Sequence, residues 1–266
     1  RLSLVGSEMC IRDRFMLLAN KKVAEKMRKS KERFVYRVHD QPDQEKLKNL
    51  QTVVKRLGYN LKLSSNELND SLNSLLKKAF GKNEQNLIDT LMIRSMSKAE
   101  YTTKNIGHYG LSFENYTHFT SPIRRYPDVM VHRLIQAEID GEKIKTDETE
   151  TLCKHSTHME ILATKAERDS VKLMQIKFMK DKEGKTFDAV ISGVVARGVF
   201  VEVIENKCEG LVKAKDLPGD FYVHDEKNHR FVGEKTGKKY QLGDKTRVML
   251  IKADQIKKRL DFQVLT

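Results

Sequence analysis

His118-Phe-Thr-Ser-Pro-Ile-Arg-Arg-Tyr-Pro-Asp128 breaks a local rule, and the rest of the chain falls into place around it. Ser121 followed by Pro122 has the form of a helix N-cap with proline at the first helical position. Behind it Val129, Val131, Leu134 and Ile135 recur as a buried helix face does. On that reading Arg124 and Arg125 fall in the first helical turn, where free backbone N–H groups and the positive dipole end disfavour cations. Two arginines there cost stability unless an anion sits between them and the N–H groups. A phosphate suits both the helix terminus and a guanidinium fork. The competing reading pairs Arg124 with Asp128 one turn on, a weak surface interaction.

The longer stretch GHYGLSFENYTHFTSPIRRYPDVMVHRLI, Gly107 to Ile135, resembles the signature of the RNase II/RNase R exoribonucleases, on the RNase R side. The resemblance implies a catalytic domain, called RNB, that hydrolyses single-stranded RNA from its 3′ end. It also implies two magnesium ions held by a cluster of aspartates. Arg124 then becomes an electrostatic clamp on the scissile phosphate, where charge develops in the transition state. Arg125 becomes its neighbour or a second phosphate contact, and Ser121, Tyr116 and Phe119 join the RNA-binding set. Rings beside phosphate-binding arginines suit a single strand, since bases stack on them without regard to sequence. Each ring taken singly is more readily a core residue.

With 266 residues the chain has room for two domains, each with a sizeable core. A formal charge of +13 and a pI near 9.5 favour an anionic partner, nucleic acid before membrane. Simple soluble or ribosome-associated basic proteins share that balance. No apolar run approaches the roughly 18 residues of a membrane span, and no secretory signal is visible. Cys10, Cys153 and Cys208 lie far apart without a C-x-x-C pair, which excludes a thiolate zinc site and a disulfide framework. A reducing cytoplasm is the natural setting. The expected partner is single-stranded RNA, with no membrane, and the expected state is a monomer.

The opening RLSLVGSEMCIRDR, Arg1–Arg14, shows no clean period and resembles a translated sequencing adaptor, so it is expected to be foreign to the protein. The alternative is a genuine amphipathic leader. RNase R-like chains carry acidic residues just before the Phe15-Met-Leu-Leu-Ala-Asn20 run, whereas Asp13 here is followed by Arg14. Phe15 to about Lys29 reads as a helix, with Asn20 either a family-typical polar residue or an ordinary solvated one. Phe34–Val38 reads as a strand. Leu47, Leu50, Val53, Val54 and Leu57 mark a helix stopped by Gly58. Ser64 with Glu67 forms a capping box for a second helix, with Leu68, Leu72, Leu75, Leu76 and Ala79 on one face, ended by Gly81. Leu87, Ile88, Leu91, Met92 and Met96 mark a third.

Tyr101 to Phe119 reads as extended chain leading into the arginines. A long helix runs from about Thr151 to Lys182. His155 and His158 on it are three apart but lack a third ligand, and His108, His118 and His132 share no metal spacing. Asp147-Glu-Thr-Glu150 reads as a solvated acidic run. Ala166-Glu-Arg-Asp169 resembles the family again, which implies that Glu167 contacts the RNA or supports catalysis.

At Asp181-Lys-Glu-Gly184 the period changes from helical to alternating. Phe187–Ile191, Gly198–Val203, Gly210–Val212, Arg247–Ile251 and Leu260–Val264 are five strands in an order that suggests an OB-fold barrel, with a basic excursion from Tyr222 to Tyr240. The stretch is similar to the ribosomal-protein-S-one-type RNA-binding domain at the end of RNase R, above all in VGEKTGKKYQLGD. Phe200 then lies on the binding face, with Arg197, Lys213 and Lys215 around it to meet phosphates. Many such domains have an aromatic in place of Arg197 and a histidine in place of Lys213, so binding shifts from stacking towards charge.

The fold class is therefore α+β: residues 15–183 as the mainly helical C-terminal part of an RNB catalytic domain, then 184–266 as a small five-stranded OB-fold barrel. Two-metal hydrolysis needs clustered carboxylates, and this sequence has none. The resemblance puts the magnesium ligands upstream, so the chain reads as a C-terminal fragment that binds RNA without cutting it alone. The alternative is a non-catalytic RNA-binding or translation-associated protein. A DNA-binding protein ranks last, because the approach to Ser121 lacks a helix-turn-helix.

Overall fold

The computed structural model describes residues 4–30, 33–64, 67–82, 84–142 and 147–265. In chain order the elements are α1 (Leu4–Lys29), β1 (Tyr36–His39), α2 (Gln44–Arg56), α3 (Leu68–Ala79), α4 (Gln85–Ser95), β2 (Ala99–Thr102), α5 (Tyr126–Asp140) and α6 (Thr149–Met179). There follow β3 (Thr186–Val195), β4 (Gly198–Val203), β5 (Glu209–Lys213), β6 (Tyr222–Asp225), β7 (Arg230–Gly233), β8 (Lys239–Gln241), β9 (Lys245–Asp254) and β10 (Arg259–Val264). The class is α+β. Two compact units form, one from residues 1–43 with 96–165, the other from 44–95 with 166–266.

In the first unit Ala24 and Met27 of α1 pack with Phe34, Val35, Tyr36 and Val38, with Tyr101 of β2, Met130 and Val131 of α5, and Cys153 of α6. β1 and β2 pair antiparallel, Tyr36 opposite Thr102 and His39 opposite Ala99. The helix expected from Phe15 begins earlier, at Leu4. No proline and only Gly6 interrupts that stretch, so nothing local stops the helix from continuing.

In the second unit the helical stripes are buried as their 3.6 period demands: Leu47, Leu50, Val53 and Val54, then Leu68, Leu72, Leu75 and Ala79, then Leu87, Ile88, Leu91 and Met92. The Ser64–Glu67 capping box does not form. Glu67 is itself the N-cap of α3 and makes no side-chain cap bond, and its carboxylate lies 3.2 Å from Lys62 Nζ instead.

β3, β4, β5, β9 and β10 close a barrel in the order β10-β5-β4-β3-β9. Alternate residues fill it, among them Ala189, Ile191, Val199, Val201, Val203, Val212, Val248, Leu250, Leu260 and Phe262. The basic excursion is more ordered than its composition suggests. It forms the antiparallel sheet β6-β7-β8, which delivers Tyr222, Phe231 and Tyr240 to the same core. Gly198 lets β4 and β5 come together: its φ is +151°, and a Cβ there would lie 2.1 Å from the Val212 carbonyl oxygen. Gly198→Ala is therefore expected to cost about 2–4 kcal/mol, since both backbone conformation and space forbid the methyl. Urea unfolding followed by circular dichroism checks this; an unchanged midpoint would show that the strand pair can part.

Candidate nucleic-acid interface

The helix after the arginines begins at Tyr126, not at Pro122. Arg125 is its N-cap, with extended backbone (φ −129°, ψ 116°), and Pro127 occupies the first turn. Pro127 is the reason. A helix begun at Pro122 would need its N–H to bond the Ile123 carbonyl; proline has none, and its ring would clash there. Starting at Tyr126 places the missing N–H among those a helix leaves free anyway. Residues 122–124 form a turn in which the N–H groups of Arg124 and Arg125 donate to the Ser121 carbonyl at 3.3 and 3.1 Å. The two arginines thus stand before the helix, at its N-terminal mouth.

Asp128 fixes that turn. It is fully buried, and its Oδ2 accepts from the Ser121 N–H at 2.7 Å and from the Arg125 guanidinium at 2.9 Å. The ion pair that the sequence offers to Arg124 is made by Arg125. Arg124 is exposed and has no side-chain hydrogen bond or ion pair among the described residues. Thr120 Oγ1, Arg125 Nε and Asp128 Oδ1 are buried with no partner among the described residues, an unusual concentration for one turn.

The approach to the turn is held by Asn20, which is not solvated. Its Nδ2 donates to the Tyr116 hydroxyl at 3.1 Å, and its Oδ1 accepts from the Phe119 N–H at 2.9 Å. Phe119 is half-buried and stacks on His132, with ring centroids 4.2 Å apart and planes 13° apart. His132 Nε2 donates in turn to the Phe119 carbonyl at 2.9 Å. Tyr116 is only 5 % exposed, its ring against His108, Phe113 and His118. So little free ring leaves no surface for stacking a base, and Tyr116 acts as a support of this segment.

Electrostatically, His108 and His118 are neutral imidazoles among cations. Burial, then Arg125 and Arg37, hold the His118 pKa down to about 3. Burial, then His39, hold His108 down to about 4. Burial pushes Tyr101 up to about 12, so its hydroxyl keeps its proton, and it shares a hydrogen bond with His118 Nδ1 at 2.8 Å. Arg37 lies over the Tyr101 ring at 4.5 Å and forks onto Glu160 at 2.6 and 3.0 Å.

Other sequence-named residues lie elsewhere. Glu167 is on the stretch of α6, residues 158–171, that is exposed throughout, and belongs to the second unit. Glu150 is not simply solvated: burial raises its pKa, but bonds from the Thr103 N–H and hydroxyl and the Thr102 hydroxyl outweigh this and lower it. On the barrel, Val199, Val201 and Val203 point inward, so Phe200 points out. Lys213 pairs with Gly198 and Leu211 with Phe200, which puts Lys213 on the outer face with the ring. The Arg197 guanidinium is 5.7 Å from the Phe200 ring, and Lys215 is exposed on the turn after β5. Gly193 leaves room for that ring, since a Cβ there would touch it at 3.4 Å. Arg197, Phe200 and Lys213 are thus brought together.

The RNB domain model matches residues 7–141, and the S1 RNA binding domain model matches residues 180–265. Ribonuclease R of Aquifex aeolicus is 40% identical over 257 residues, covering 95% of this chain and 36% of that protein. Ribonuclease R 1 of Lactococcus lactis is 35% identical over 258 residues, covering 94% and 32%. Among solved structures, Mycoplasma genitalium RNase R in complex with ribose methylated single-stranded RNA superposes with a TM-score of 0.88 at 28% identity, over 95% of this chain and 41% of that one. The chain spans about a third of the length of these curated relatives.

Asn20→Ala strands a buried hydroxyl and a backbone N–H, and is expected to cost about 1–3 kcal/mol in urea unfolding; a change within error would mean that water replaces the amide. The histidines set a pH dependence. With pKa values of about 3 and 4 in the fold against 6.5 in the free side chain, the unfolded chain binds more protons in between. Stability is therefore expected to fall as the pH drops below about 6.5, and His118→Gln to flatten that slope. Unfolding midpoints across the acid range read both, and equal slopes would refute the assignment.

Proposed function

The chain belongs to the RNB family and carries an S1 RNA-binding domain; from this we propose that it is part of an RNase R-like exoribonuclease degrading single-stranded RNA from the 3′ end. Its own share is to hold the strand. The observation that carries this reading is Arg124, exposed and unpaired among the described residues, beside a turn that Asp128 keeps in place. A guanidinium held there can meet the non-bridging oxygens of a phosphodiester, and its charge counts most where negative charge develops. Arg125, already tied to Asp128, orients the turn and offers its remaining N–H donors to a second phosphate. The Ser121 backbone is committed to the turn, which leaves its hydroxyl to face the strand. Phe119 lines the approach, with Tyr116 behind it. Glu167 contacts RNA or supports the site.

On the barrel, Phe200 stacks a base while Arg197, Lys213 and Lys215 meet phosphates, so binding leans on charge and weakens steeply with salt. The relative solved with single-stranded RNA supports that partner. The family chemistry calls for magnesium, whose ions would bind and polarise the scissile phosphate and water. The described residues do not fit it, since no group of three or more His, Cys, Asp or Glu side chains among them could hold a metal. We read this chain as a binding part, inactive alone. No helix among the described residues is long and apolar enough to cross a membrane. From the wide spacing of Cys10, Cys153 and Cys208 we place the protein in a reducing cytoplasm, and we propose a monomer.

Incubating the chain with end-labelled single-stranded RNA and magnesium should give salt-sensitive binding with no shortening, and Arg124→Ala should weaken that binding. Stepwise shortening from the 3′ end, lost in Arg124→Ala, would mean that the chain assembles a metal site of its own. Absence of any binding would leave the family fold without its RNA function.

A further inference from the structure

Away from the Phe200 face, the second unit carries a groove of about 690 Å³ between the α3–α4 turn and the β8–β9 end of the barrel. Lys82 enters it from the helical turn, Lys238 and Lys239 from β8 and its approach, and Lys245 and Arg247 from β9. One carboxylate, Asp244, lines it against these five cations. Lys82 donates to the Tyr59 hydroxyl at 3.0 Å, and Lys238 lies 5.2 Å from the Tyr240 ring centroid. Lys239, Lys245 and Arg247 are exposed and make no ion pair among the described residues. Lys245 and Arg247 are two apart on β9, so both project from the same side of the strand.

Like charges gathered in one concave surface repel one another, a cost that scattered or paired lysines avoid, and they raise the local concentration of anions. A site for one phosphate would gather donors around a point; here flexible ammonium groups are spread along an open groove, which suits a run of phosphates. A groove also disfavours an anionic bilayer, which presents a broad surface. Tyr240 is the one ring in the lining and is only 5 % exposed, so no stacking platform exists. We propose that this groove is a second RNA track, which holds the phosphate backbone of a strand without reading its bases. It shares no residue with the Arg197, Phe200, Lys213 and Lys215 face. The proposal rests on the RNA-binding reading above and extends it to a new surface.

The test is fluorescence anisotropy of a labelled oligouridylate with the full chain across a range of KCl. Comparison is with Lys239→Gln/Lys245→Gln/Arg247→Gln and, separately, with Phe200→Ala. Each phosphate contact on a single strand contributes about 0.7 to the log–log salt slope, so the triple variant should lose about 2 units. Phe200→Ala should weaken binding at every salt concentration and leave the slope in place. If the triple variant keeps the wild-type slope while Phe200→Ala weakens binding, the groove proposal falls and the RNA reading stands. If the wild-type chain binds no RNA, both fall. Binding of anionic vesicles that the triple variant loses, with RNA binding intact, would overturn the proposal in favour of a membrane. Circular dichroism melting confirms that the variant folds; were it to fail, Lys245→Gln alone should still lower the slope by about 0.7.

Discussion

The candidate site depends on one buried carboxylate. Asp128 has no exposure, yet it reaches a backbone N–H and a guanidinium across the start of its own helix. Its negative charge lies in the first turn, where the helix dipole favours it. Charge-assisted bonds in such surroundings are among the stronger ones a protein makes. The consequence is a division of labour between adjacent arginines. Arg125 is used up in structure by its pair with Asp128, and Arg124 makes no side-chain hydrogen bond or ion pair among the described residues.

A second layer keeps that arrangement from being neutralised. The aromatic and imidazole groups around the turn are tied to one another and to Asn20, and burial keeps His108 and His118 uncharged across the neutral range. Neutral imidazoles can hydrogen-bond, as His118 does with Tyr101, without adding to the positive charge that Arg37, Arg124 and Arg125 already supply. The field at the turn is then set by guanidinium groups, whose charge does not change with pH. Packing and electrostatics work to the same end.

Periodicity made the scaffold legible. The α2, α3 and α4 stripes and the five barrel strands are repeated patterns, and burial enforces them over many residues at once. The start of α5 was harder to read because two prolines compete for the first turn. Ser121-Pro122 carries the familiar signature, but Pro127 decides, since a helix can exclude an early proline more readily than it can run through a later one. That shift of one turn also exchanged the arginine that pairs with Asp128. Asn20 was ambiguous for another reason: its partners are 96 and 99 residues away, and no local pattern announces a contact of that range. The sheet β6-β7-β8 was obscured because its strands are only 4, 4 and 3 residues long and each gives the core a single ring, Tyr222, Phe231 and Tyr240 in turn.

The barrel shows what charge can do that stacking cannot. Its outer face carries the half-buried Phe200 ring among Arg197, Lys213 and Lys215, and the groove by β8 and β9 is lined by cations and a single buried ring, Tyr240. A base stacked on a ring must unstack before a strand advances, at a cost of about 1–3 kcal/mol for each base. Ammonium groups on flexible stems follow a phosphate backbone with no such step, and counterion exchange keeps the contacts fluid. Under the function proposed above, a protein that consumes RNA from one end has to grip the strand without fixing its register. Replacing rings by lysine and arginine meets that requirement, and the same substitution makes the grip sensitive to salt.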